Sequence, residues 1–256
     1  HCVRESIKLG MNPIDAISMA SKNCFDYYKM GTEFGGIGPG KIADILILDD
    51  YKKIKINKVI LGGKIVVSDG KILEIIHSPK IPTWIQKTVK LPKLTTENFI
   101  LTSKNNTEIV NIISMKTEIV TKKDTTNLSV KDSNVMASYD KDIWKVTAMD
   151  RTFGSKTKTI GFLKNFGADV GAFASTWSFH ENDMIVIGSN EKDMADAANK
   201  LVKSQGGLIV VKNGKTLASL PFQMGGIIST DSIDKVTTNF TKINDVLLDS
   251  GCKFKK

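Results

Sequence analysis

Apolar positions along this chain alternate between helical spacing and strand spacing, with glycine, proline and asparagine at the changes. Val3, Ile7 and Leu9 form a first helical stripe that Gly10 ends. Asn12 offers a capping oxygen and Pro13 a preset φ, so a second helix starts there and takes in Ile14, Ile17, Met19 and Ala20. Asn23 to Tyr28 carries that helix on to Gly31. Gly36-Ile37-Gly38-Pro39-Gly40 is a tight turn, because Gly supplies positive φ and Pro fixes it. Ile45 to Leu48 follows as an unbroken apolar run, which predicts a strand buried on both faces. Ile54 to Ile60 partly alternates, Gly62-Gly63 turns the chain, and Ile65–Val67 and Lys71–Leu73 flank the hairpin signal Ser68-Asp69-Gly70.

Pro79, Pro82 and Pro92 mark residues 79–95 as a linker and place a domain boundary there. Short strands are expected at Glu108–Ile113 and Thr117–Thr121, and a polar loop over Lys131–Lys141. Residues 143–220 read as α/β. Trp144–Met149 and Met184–Gly188 are strands, and Asn190 caps a helix whose first turn carries Glu191 and Asp193, where acids complement the macrodipole. That helix stops at Gly206-Gly207. Leu208–Val211 and Thr216–Leu220 pair across Asn213-Gly214, and residues 231–250 close with a helix presenting Ile233, Val236, Phe240, Ile243, Val246 and Leu247 on one face. Phe162 and Phe166 read as core aromatics on a short turn or helix.

A length of 256 residues has room for one large or two ordinary domains. The opening His1-Cys2-Val3-Arg4 reads as the middle of a helix, so the chain is expected to be part of a longer protein. The net charge of +9 is spread along the chain as Lys, without the basic clusters or interleaved aromatics of a nucleic-acid binder, so it reads as solvated surface. The cysteines, Cys2, Cys24 and Cys252, are far apart and odd in number, which argues against a disulfide framework or a zinc knuckle and fits a reducing, cytoplasmic location. No apolar run reaches the roughly 18 residues of a membrane span.

Candidate chemistry is sparse. The Gly36–Gly40 turn with Lys41 lacks the spacing of a phosphate loop and enters a strand instead of a helix, so it reads as structural. His1, His77 and His180 lack ligand partners at helical or strand spacing and cannot by themselves build a binuclear metal site. The richest stretch is Ala172–Met184, with hydroxyls, Trp177, His180, Glu181, Asn182 and Asp183 just before a buried strand. His180 and Glu181 can exchange protons or hold a polar heterocycle; the alternative is a polar β-turn. Asp150-Arg151 ends another strand, where Arg151 offers a planar fork to a carboxylate or an aromatic face, or pairs with Asp150 in a loop.

With these pieces in order, the chain resembles the C-terminal half of adenine deaminases, within the amidohydrolase superfamily. The resemblance rests on Val3–Gly10, Ala16–Asn23 and Gly36–Asp49, which are general to the superfamily. It rests further on Gly161–Gly167 with Gly171–Ser175, and on Ile185–Met194, which are particular to adenine deaminases. It implies an α+β chain made of three pieces. Residues 1–34 would be the last helices of a (β/α)₈ barrel, 35–78 half of a composite β-sandwich, and 96–256 an appended α/β domain beyond the 79–95 linker. The implied reaction is hydrolysis of adenine to hypoxanthine and ammonia, by hydroxide activated on a binuclear Mn²⁺ or Fe²⁺ centre and directed at purine C6. All metal ligands would lie outside this chain, which alone would bind no metal and would be inactive. His180, Glu181, Asn182, Asp183, Asp150 and Arg151 remain as substrate-proximal candidates. The family's histidines in this polar loop are replaced by Phe179 and Asn182, and its Glu-Arg-His by Asp150-Arg151-Thr152. Adenine is the implied partner, with homo-oligomers of the full-length protein and neither nucleic acid nor membrane. A non-enzymatic purine- or protein-binding module and another amidohydrolase are the alternatives.

Overall fold

A computed structural model describes residues 1–74, 80–117, 119–155, 157–178 and 183–253. The chain divides into two compact units, His1–Pro79 and Lys80–Lys256.

The first unit opens with α1 (Cys2–Lys8), α2 (Pro13–Met19) and α3 (Lys22–Tyr27). Asn12 caps α2 as its side chain accepts from the Ile14 N–H at 2.9 Å. The single helix expected from Asn12 to Tyr28 is instead two. The backbone leaves helical geometry at Ser21 (φ −136°), and the Ser21 hydroxyl donates back to the Ile17 carbonyl at 2.7 Å. The glycine turn is structural, since Lys41 Nζ donates to the carbonyls of Gly31 and Phe34, residues of the same bend. Beyond it β1 (Ile45–Asp50), β2 (Lys55–Leu61), β3 (Lys64–Ser68) and β4 (Lys71–Ile72) form an antiparallel meander in chain order. Asp69 and Gly70, at φ +51° and +74°, make the primed turn of the last hairpin. The expected double-sided burial of Ile45–Leu48 is not met, with Leu46 54% exposed and Ile47 43%. β1 is an edge strand, and the cleft of about 520 Å³ between it and the helices, walled by Val3, Ile17, Phe25, Phe34 and Leu48, stays open. Ala16 is the one buried hydrophobic residue among those described in this unit.

The second unit is built on a mixed sheet. Its strands are β5 (Thr107–Met115), β6 (Thr121–Lys131), β7 (Asn134–Val135), β8 (Ile143–Asp150), β9 (Lys158–Lys164), β10 (Ala172–Ser175), β11 (Asp183–Gly188), β12 (Gly207–Lys212) and β13 (Lys215–Pro221). The order is β13-β12-β10-β11-β8-β9-β5-β6-β7, and only β5 and β9 run parallel. This antiparallel character makes the unit α+β in place of the alternating α/β expected for residues 143–220. The helices are α4 (Glu191–Ser204) and α5 (Ile233–Asp249).

Period-two alternation explains the layers. Ala172, Ala174, Met184, Val186, Ile209 and Val211 pack with Met194, Ala197, Ala198 and Leu201 of α4. The intervening Phe173, Leu208 and Val210, with Trp144, Ala218 and Leu220, pack with Ile243 and Leu247 of α5. One helix therefore covers each face. Residues expected as linker join this core, with Val89, Leu91 and Leu94 in the α4 layer. Asn199 holds both backbone groups of Leu94 at 2.9 and 2.8 Å. The strand expected over Thr117–Thr121 is not formed as such, since β5 ends at Met115, β6 begins at Thr121, and the N–H groups of Lys116 and Thr117 both bond to the Val120 carbonyl. Phe162 and Phe166 are buried as expected, but Phe162 lies on β9, where Phe162 and Leu163 serve opposite layers.

Candidate functional site

One end of the second sheet gathers the described candidates. The last pair of the β8–β11 ladder sets Asp150 opposite Asp183, and Arg151 follows at once. Thr176 leaves β10 at the same end, since Ser175 pairs with Leu208 beside Gly207.

Asp150 is an anchor for its own turn. Its Oδ1 accepts from the N–H groups of Thr152 (2.9 Å) and Phe153 (3.0 Å), and Oδ2 from the Ser155 N–H (3.1 Å) and hydroxyl. The Ser155 hydroxyl and these amides hold its carboxyl well below the usual carboxylate range, so it is a fixed anion and no proton donor at neutral pH.

Arg151 is 1% exposed. It does not donate to Asp150. Its Nη1 donates to the Gly225 carbonyl at 3.0 Å and Nη2 to that of Thr176 at 3.4 Å. Burial lowers the guanidinium from its ordinary value and the Asp183 charge opposes this, so Arg151 stays a cation. Close approach requires glycine at 226, where a Cβ would sit 2.6 Å from Nη1. The Thr176 hydroxyl completes the junction by donating to the Gly226 carbonyl at 2.6 Å and accepting from the Gly207 N–H at 2.7 Å.

Just beyond this junction lies a cleft of about 360 Å³, lined by Trp177, Phe222, Ile227, Ile228, Asp231 and Phe240 among others. Trp177 meets Phe222 and Phe240 edge-on at 6.0 and 6.3 Å between ring centroids. The sheet end thus combines a fixed anion, a buried cation and an aromatic cleft, an arrangement suited to holding groups in place more than to moving protons. His180, Glu181 and Asn182 lie outside the described residues. Among the described residues no three His, Cys, Asp or Glu side chains come together as a metal would need, so this set does not fit a binuclear centre.

Two polar clusters escaped sequence reasoning. Lys145, in mid-strand on β8, donates to Glu191 Oε1 at 2.6 Å and to Asn134 Oδ1 at 2.9 Å, and Asn134 Nδ2 also donates to Glu191 at 2.8 Å. Its signal was a lysine inside an apolar run. Asp193, buried in the first turn of α4, accepts from the N–H groups of Asn213 (2.8 Å) and Gly214 (2.7 Å). Its sequence signature was indistinguishable from an ordinary first-turn acid.

Comparison with known proteins finds a family match in each unit. Residues 118–256 match the adenine deaminase C-terminal domain, and residues 2–66 match the amidohydrolase family. An adenine deaminase of Cenarchaeum symbiosum (strain A) is 49% identical over 256 residues, covering 100% of this chain and 42% of that protein. One of Desulforamulus reducens is 33% identical, covering 98% and 43%, and one of Moorella thermoacetica 30% identical, covering 99% and 43%. The chain thus spans about two-fifths of the length of these curated relatives. With more than half of its residues matched by that model, the chain belongs to the adenine deaminase C-terminal domain family.

Proposed function

We propose that this chain is the C-terminal portion of an adenine deaminase, an enzyme that hydrolyses adenine to hypoxanthine and ammonia. The observation that carries the reading is the family match over residues 118–256. The first unit supports it. Its helices and edge strand expose apolar faces that the described residues of the unit do not cover, as expected of pieces whose packing partners lie elsewhere. In this reading residues 1–34 are terminal barrel helices and 35–78 half of a composite sandwich, with 96–256 the appended domain. A manganese or iron centre is assigned to the portion of the relatives that this chain does not span. His180, Glu181, Asn182, Asp183, Asp150 and Arg151 are the substrate-proximal group, of which Asp183 and Asp150 face each other in the last pair of the β8–β11 ladder.

The experiment joins this chain in frame to the preceding portion of the Cenarchaeum symbiosum relative and follows adenine conversion by ammonia release. The hybrid is expected to turn over adenine and the 256-residue chain alone to be inactive with added Mn²⁺ or Fe²⁺. Turnover by the chain alone, or none by a folded hybrid, overturns the reading. Within an active hybrid, Glu181→Ala is expected to lower activity more than His77→Ala.

A further inference from the structure

Arg151 is 1% exposed and lies at the meeting point of four chain segments. Its own carbonyl accepts from the Lys90 N–H at 2.7 Å. Its Nη atoms take the carbonyls of Thr176, just after β10, and Gly225, in the loop after β13. The Gly225 N–H in turn donates to the Ile85 carbonyl at 2.7 Å. Thr176 ties the same loop a second time through the Gly226 carbonyl. The positive φ of Gly225 and Gly226, +61° and +72°, lets that loop press its backbone onto the guanidinium. The residues next to these anchor points are Trp177 on one side and Ile227 and Ile228 on the other, and all three line the aromatic cleft.

We propose that Arg151 is a positioning residue, whose bridge between the Thr176 and Gly225 carbonyls fixes two parts of the lining of the aromatic cleft, Trp177 and Ile227–Ile228, relative to each other. The guanidinium suits this task because its planar fork serves two acceptors at once, which a lysine ammonium on a single flexible stem does not do with fixed geometry. If it is replaced by an apolar chain, the Gly225 carbonyl loses this donor and the Thr176 carbonyl keeps the Ser178 N–H alone, so the tie between the two segments is cut. The inference does not depend on what the complete protein catalyses.

The test uses the 256-residue chain. Hydrogen exchange is followed at the amides of Trp177, Ser178, Gly225, Ile227 and Ile228, each of which is hydrogen-bonded. Arg151→Met is expected to speed these amides by about tenfold or more while β12 and the middle of α4 keep their rates. Arg151→Lys should give partial rescue. In protein labelled with 5-fluorotryptophan, the Trp177 resonance should shift or broaden in Arg151→Met while that of Trp144 holds. Thr176→Val, which keeps the shape but removes the hydroxyl, should speed Ile227 and Ile228 through its own tie to Gly226, and Arg151→Lys, expected to speed the same amides by a smaller factor than Arg151→Met, decides the matter if Arg151→Met does not fold. Unchanged loop rates, or a uniform rise across the whole unit, would overturn the proposal.

Discussion

Lys145 is a buried cation that is costly to leave without partners. Its side chain is 2% exposed, and it holds Glu191 and Asn134 in one closed network. Removing one partner of a buried pair leaves the other uncompensated, so Lys145→Ala should cost about 3–5 kcal/mol in chemical denaturation, while Lys145→Met with Glu191→Leu should recover most of it. The pH dependence follows from the same geometry. Burial alone would raise the Glu191 carboxyl, but the Lys145 ammonium and the Asn134 amide outweigh it and hold it below its ordinary value. A carboxyl lowered in the folded state contributes stability that is fully present above its unfolded pKa, about 4.3, and is lost as pH falls through the folded value. Denaturation midpoints of the wild type should therefore fall more steeply below about pH 5 than those of Glu191→Gln, and parallel slopes would contradict the pairing. Single residues were only partly legible in the sequence. Asp150 and Arg151 stood out as charged residues at a strand end, and Asp150 spends its carboxylate within its own turn, but that Arg151 serves the carbonyls of Thr176 and Gly225 depends on contacts tens of residues away.

At the scale of elements, the joint between α4 and the β12–β13 turn sets the register of one sheet edge. Asn213 and Gly214 adopt positive φ, +52° and +75°, and both of their N–H groups point into the Asp193 carboxylate. The Asn190 cap accepts from the Asp193 N–H at 2.8 Å, so the helix start and the hairpin turn share one side chain. Asp193→Ala takes a charged acceptor from the N–H groups of Asn213 and Gly214 and should destabilise by about 2 kcal/mol, whereas Asn190→Ala should cost about 1 kcal/mol, both read from urea midpoints. Gly171→Ala should be at least as damaging as Asp193→Ala, because a Cβ there would overlap the same carboxylate. Elements with local signals were legible. The Asn190 cap, the Asn213-Gly214 hairpin and the amphipathic α5 all follow from residues within a few positions of one another. Where the outcome depended on distant partners, pattern alone misled. Thr117, Ile119 and Val120 have strand-like composition yet lie outside both flanking strands, and Val89, Leu91 and Leu94 look like linker until α4 is present to bury them.

Over the whole molecule, stability is expected to be divided very unevenly. The three clusters of buried hydrophobic residues all lie beyond residue 88, while the described part of the first unit buries only Ala16 among its hydrophobic residues. Burial of apolar area is the main favourable term in folding, at about 25 cal/mol per Å², and it must offset about 1–2 kcal/mol of backbone entropy for each ordered residue. The second unit has that burial on both faces of its sheet. The first has turns, caps and ladder bonds but an open apolar cleft where a core would be, so its opening free energy lies at the low end of the range. Amides of β2 and β3 should accordingly exchange far faster than those of β8, β11 and β12, which are expected to open only with global unfolding. The chain should also bind an apolar fluorescent dye in native buffer, and Leu46→Lys with Ile47→Lys should reduce that signal without moving the main unfolding transition. A shortened chain of residues 80–256 should keep the same transition and lose most of the dye binding. If β2 and β8 instead lose protection together, at one denaturant concentration, the first unit has a cooperative core of its own, and the view that its apolar faces await a partner fails.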